Sequence, residues 1–284
     1  MVPRDWTDGI GGVDQDTVEQ ESAGYPVIQF IKGKQINKKA GDFAYTGGWF
    51  IKDESAPSEL DGVMPAPWEP YEMVHQSGES TPGWACRDLT VALVRSRHCW
   101  EYEGEDGQIA YAPWQGGYEK GRSGKVHVLA CIKGLEPYPL VITIKGWSSK
   151  VFTEELVRFR RNVILPANAL VRPKRWPYRA FWVTLGPERD GKGEPTFSKA
   201  GSGDKSQTYT FLTLDAPNKP LTKEELGQRY VGDELRDQLQ NWYSEAEEWA
   251  HAWDEERTSG QDGASEPDSN GTEPSEDEPA AMDF

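Results

Sequence analysis

Within eight residues, Arg172, Pro173, Lys174, Arg175, Trp176, Pro177, Tyr178 and Arg179, the chain sets four cations and two aromatic rings together with two prolines. Cations hold phosphates and flat rings stack on bases, so the chemistry this composition serves is contact with a flexible strand of phosphates and bases. The prolines keep the segment extended and leave Trp176 and Tyr178 poorly placed for a regular core. The plainer reading is an ordinary basic surface loop. A second candidate is Lys145, Gly146, Trp147, Ser148, Ser149, Lys150, where a glycine permits close backbone approach and Trp147 lies between two ammonium groups. Its rival is a tryptophan that caps one end of a core.

Enzyme constellations are weak. The chain has no G-x-G-x-x-G opening a helix, no Walker loop and no G-x-S-x-G elbow. Cys86, His98, Cys99 and Cys131 contain the donor types of a zinc site, but their spacing matches no common module, and three reduced, mostly buried thiols are the plainer reading. Glu101, Glu103, Glu105 and Asp106 could form a metal-dependent nuclease cluster. Their alternation with Tyr102 and Gly104 fits an exposed strand edge and turn better. No catalytic residue, metal or cofactor is therefore assigned.

The net charge of −16 hides blocks of opposite sign. Residues 120–205 hold 17 basic and 7 acidic side chains, a net +10, whereas residues 1–119 sum to −11 and everything after Leu221 to −15. A basic island in an acidic chain is the footprint of an anion-binding surface, although the same charges dispersed over a solvated surface would give the same count. Residues 258–284 carry eight carboxylates, no Lys or Arg, and close on Met282, Asp283 and Phe284. Such a segment buries too little apolar surface to offset its ordering entropy, so it is expected to be a disordered tail, and the residues 1–22 a flexible N-terminus.

This tail resembles the acidic, aromatic-ended C-terminal tails of bacterial and phage single-stranded DNA-binding proteins. The resemblance covers about residues 84–215 together with 258–284, and the chain departs from the bacterial pattern in its length, its N-terminal region and the helix before the tail. It is closer to an enlarged phage or mobile-element version. The resemblance implies a non-enzymatic role in DNA replication or recombination, with Asp283 and Phe284 recruiting partner proteins while the tail competes with DNA for the basic region. On that reading Lys145, Lys150, Arg172, Lys174, Arg175 and Arg179 hold phosphates, and Trp147, Trp176 and Tyr178 stack on bases. The rivals are a protein-interaction accessory factor without nucleic-acid binding and an acidic-cluster nuclease.

The elements that must position these residues read as mainly β. Residues 23–83 contain strand-like runs at 25–31 and 43–51 and a proline-rich connector, and are expected to form a β-rich region packed on the body. Residues 84–220 read as strands at 88–95, 126–133 and 139–146, a helix that Thr153 would cap, then strands at 179–185 and 207–214. That order matches an OB-fold-like five-stranded Greek-key barrel. The glycine-rich stretch 114–125, with Trp114, Tyr118, Lys120, Arg122 and Lys125, would be the long connection between its first two strands. In residues 221–257, Thr222 and Glu225 form a capping box, and Leu235, Leu239, Trp242, Ala246, Trp249 and Trp253 make an amphipathic stripe that either packs on the barrel or forms a homodimer seam. There is no signal peptide and no apolar run long enough to span a membrane, and three widely spaced cysteines give no disulfide framework, so a cytoplasmic location is expected.

Overall fold

The computed structural model describes residues 25–33, 43–57, 60, 62–74, 79–104, 109–114, 120–170, 175–200 and 207–250. The expected flexible N-terminus, the acidic tail, Arg172, Lys174 and Trp253 lie outside them.

Strand β1 (Val27–Ile31), a single turn α1 (Phe43–Thr46), β2 (Gly48–Lys52), β3 (Glu69–Val74) and β4 (Ser80–Cys86) precede the long β5 (Leu89–Glu103). Strands β6 (Ile109–Pro113), β7 (Arg122–Ile132) and β8 (Pro139–Lys145) follow, then α2 (Trp147–Phe159), which runs through a π-helical turn (Arg160–Ile164) into α3 (Leu165–Leu170). The chain continues through β9 (Val183–Pro187), β10 (Ser198–Ala200), β11 (Gln207–Tyr209) and β12 (Leu212–Leu214), and ends in α4 (Lys223–Arg229) and α5 (Asp233–Glu245).

The molecule is mainly β, but a closed barrel does not form. One ten-stranded mixed sheet runs β12-β9-β5-β7-β8-β1-β2-β4-β3, with β6 also paired to β5. The physical reason is at the edge of β8, where β1 pairs in parallel through Val27 with Val141 and Gln29 with Thr143, so the sheet continues into the N-terminal strands. The sheet curls far enough for Trp49 Nε1 of β2 to donate to the Leu185 carbonyl of β9 at 3.0 Å. The N-terminal region is thus woven into the same sheet rather than laid upon it.

Both faces of the sheet are covered, which is why β8 is buried on both sides despite its alternating sequence. On the inner face Val126, Val128, Leu140, Ile142 and Ile144 pack with Phe152, Leu156 and Phe159 of α2. On the outer face Ala92, Val94, Leu129, Cys131 and Val141 pack with Leu239, Ala246 and Trp249. The stripe of the last helix is therefore used within the chain. A register shift between Leu93 and Arg95 puts the consecutive Val94 and Arg95 on the outer side of β5, the signature of a β-bulge.

The helix begins seven residues earlier than the sequence reading placed it. Gly146 is its N-cap at φ 62°, a conformation that favours glycine, and Thr153 lies inside it, donating to the Ser149 carbonyl at 2.9 Å. Pro166 has no N–H to offer the carbonyl four residues back, and the Asn162 carbonyl accepts from the Leu221 N–H at 2.9 Å instead. Beyond it, Thr222 Oγ1 accepts from the Glu225 N–H at 3.4 Å and the Glu225 carboxylate accepts from the Thr222 N–H at 2.8 Å, closing the capping box of α4.

Candidate nucleic-acid interface

Opposite the inner core, the far ends of β7 and β8 bring Lys125 directly across from Lys145. Two like charges in that relation repel, and Glu101 of β5 relieves them, with Oε2 at 3.6 Å from Lys125 Nζ and 3.1 Å from Lys145 Nζ. Lys32, just after β1, joins the group. Burial lowers its pKa, Lys145 lowers it further, and Glu101 pulls the other way without reversing the shift. Burial is thus the main cause of that shift, and of the two charges beside Lys32 the cation Lys145 outweighs the carboxylate Glu101.

Rings accompany these cations. Lys125 Nζ donates to Tyr111 Oη at 3.1 Å and lies 4.5 Å from that ring's centroid, Lys32 Nζ lies 5.7 Å from the Tyr209 ring, and the Arg122 guanidinium 4.7 Å from the Tyr102 ring. Two connections supply these partners: β6 brings Tyr111 and β11 brings Tyr209. Lys125 is buried, whereas the Lys145 side chain is 34 % exposed.

Nearer the middle of the sheet the same face is closed by α5 and the turn after it. Arg95 donates to the Tyr243 carbonyl at 2.8 Å under that residue's ring, 4.6 Å from its centroid. Arg97 donates to the Trp249 carbonyl at 3.2 Å and sits 4.5 Å from the Trp249 ring. Arg179 lies 4.2 Å from the Tyr243 ring and donates to Gln240 Oε1. His127, between Arg97 and Lys125, has its pKa held well below the usual histidine value by burial first and by those two cations next, so Nδ1 is free to accept from Arg97 Nε at 3.4 Å.

The sequence-predicted residues divide. Lys145 belongs to the cluster, and Lys150 stands exposed in the first turn of α2, 3.9 Å from Glu154. Trp147 opens α2, its side chain outside the described parts, and Arg175 is exposed. Tyr178 and Arg179 are buried, which corrects their expected surface role. Pro177 leads into a 3-10 turn (Tyr178–Ala180) that folds the segment inward, where Tyr178 stacks on Phe159 at 6.0 Å and burial pushes its hydroxyl up to about 12. Trp176 is half-buried, edge-on to Tyr230 at 5.4 Å and Phe181 at 6.1 Å, so its ring already has partners. Asp283 and Phe284 lie outside the described residues.

The tyrosines and Lys32 escaped the sequence reading, although Lys125 and Lys145 each follow the alternation of strands whose pairing brings them together. Among the described residues no three His, Cys, Asp or Glu are gathered to hold a metal, and Cys86, Cys99 and Cys131 are buried on separate strands. Burial raises the Cys86 and Cys131 thiols far above their usual pKa, which leaves them poor metal ligands. No helix among the described residues is long and apolar enough to cross a membrane. Comparison with protein-family models, with curated proteins and with solved structures finds no match.

Proposed function

We propose that the chain binds single-stranded DNA across the outer face of β7 and β8 as a cytoplasmic, non-enzymatic protein of replication or recombination. The observation that carries this reading is the cluster of Lys32, Lys125 and Lys145 among Tyr111 and Tyr209 on that face. Its setting supports it. The order β12-β9-β5-β7-β8, with α2 between β8 and β9, is the strand order of an oligonucleotide-binding fold opened at one edge, and in that fold the second and third strands with the flanking connections carry the ligand. Here those strands are β7 and β8, and the connections are the ones that hold β6 and β11.

The acidic residues 258–284 complete the proposal as a tethered competitor for the cations and, through Asp283 and Phe284, a recruiting peptide for partner proteins. Titration of intrinsic tryptophan fluorescence with oligo-dT and with duplex DNA, with and without magnesium, tests it. Quenching by the single strand alone, without cleavage, is the expected result, with a log-log salt slope of roughly −3 to −4 for about four to six phosphate contacts. A flat salt response overturns strand binding. No response to either DNA favours the protein-interaction rival, and magnesium-dependent cleavage favours the nuclease.

A further inference from the structure

Between the far ends of β5, β6 and β7 and the first turns of α2 lies a cavity of about 670 Å³, a size within the range of small-molecule sites. One wall is aromatic. The Trp114 ring lies 5.5 Å from His98 and 6.5 Å from Trp100, tilted to both, an arrangement that leaves ring surface for a third flat group. Trp100 is only 4 % exposed, and its Nε1–H has no hydrogen-bond partner among the described residues, so what it gives the wall is ring edge rather than a donor. Burial holds His98 down to about 4, so it meets a ligand as a neutral ring that can donate or accept.

The opposite wall suits an anion. The amino end of the 13-residue α2 borders the cavity through Gly146, Ser149 and Lys150, no side chain among the described residues caps it, and its first turn holds no acid. The helix dipole favours an anion at such an end, where the Ser149 N–H already donates to the Gly146 carbonyl at 2.9 Å. Lys150 and Arg122 stand beside it, with Glu154 one turn further on, and Gly124 leaves the floor open where a β-carbon would press on Ser149 Oγ at 3.2 Å.

We infer that this cavity seats one unstacked nucleotide, its base on the Trp100, Trp114 and His98 wall and its phosphate at the amino end of α2. The assignment extends strand binding to a discrete nucleotide site and is tested apart from it. In isothermal titration of the full-length chain, dAMP is expected to bind one per chain, with deoxyadenosine and inorganic phosphate each at least about ten-fold weaker. Trp114→Ala should weaken dAMP and deoxyadenosine in parallel by about ten-fold or more, as loss of one stacking partner does. Trp114→Phe should restore most of that loss, which separates stacking from misfolding, and Lys150→Glu should weaken dAMP but not deoxyadenosine. Oligo-dT that displaces dAMP identifies the occupant as a nucleotide of the strand, whereas a ternary complex identifies it as a free nucleotide. Absence of dAMP binding, or an affinity unchanged in folded Trp114→Ala, overturns the cavity assignment even if oligo-dT binds. Binding of dAMP without oligo-dT leaves the cavity standing and removes the strand.

Discussion

The two halves of the outer sheet face carry the same sign of charge in different settings. Under α5 and the turn after it, Arg95, Arg97 and Arg179 are buried beneath Tyr243 and Trp249 and bonded to carbonyl groups. Toward the far ends of β7 and β8, Lys125 and Lys145 share Glu101 with Lys32 close by. Arginine keeps its charge in nearly any setting and its planar fork matches carbonyls and ring faces, so the covered half is permanent structure. In the other half burial and the nearby Lys145 lower the pKa of Lys32, so that one ammonium can respond to an approaching anion. The difference teaches that basic residues on one face need not share one task.

The largest effect expected to probe this division is at Trp249. Replacing it by Ala removes a large buried ring from over Arg97 and should cost about 3 to 5 kcal/mol in chemical denaturation. A loss under about 1 kcal/mol breaks the claim that this half is structural. Trp176→Ala comes next, with about 1 to 3 kcal/mol of stability lost through its contacts with Phe181 and Tyr230 and oligo-dT affinity kept within about two-fold. A large affinity loss in the folded variant would return Trp176 to the stacking role its sequence implied.

Lys145→Ala should do the reverse, leaving the denaturation midpoint nearly unmoved while weakening oligo-dT several-fold and making the salt slope shallower by about 1. Equal effects of Lys145→Ala and Trp249→Ala on affinity would erase the distinction between the halves. The smallest signal is a proton. Because the folded protein lowers the Lys32 pKa, a fraction of Lys32 is neutral on the alkaline side, and a bound phosphate that raises the pKa must draw a proton from buffer. Titrations at pH 9 in buffers of different ionisation enthalpy should show net uptake, and Lys32→Gln should abolish it. Release of protons, or uptake that survives Lys32→Gln, places the responsive group elsewhere.

How much of this the sequence disclosed depended on how local the cause was. The capping box at Thr222 and Glu225 was legible because both partners lie within one turn. The alternation in β8 marked Lys145 as outward. The parallel pairing of β1 with β8 was not legible, since nothing near Val27 announces Val141 as its neighbour, and that pairing replaced the expected barrel with an open sheet. Composition also misled at Tyr178, where basic neighbours and prolines looked like surface and the 3-10 turn carried the ring into the core. The cluster of Lys32, Lys125 and Lys145 joins three strand ends, and only the register shows that they meet.

That same parallel pairing sets an order of events for the growing chain. Strand β1 leaves the ribosome early, but its partner edge on β8 lies more than a hundred residues later, so the N-terminal hairpin with β2 waits with one edge unpaired until β8 arrives. Closing so long a loop is slow, and an unpaired edge is open to other chains meanwhile. Folding yield from dilute solution should therefore exceed yield from concentrated solution, since a second chain can fill the vacancy that β8 has not yet taken.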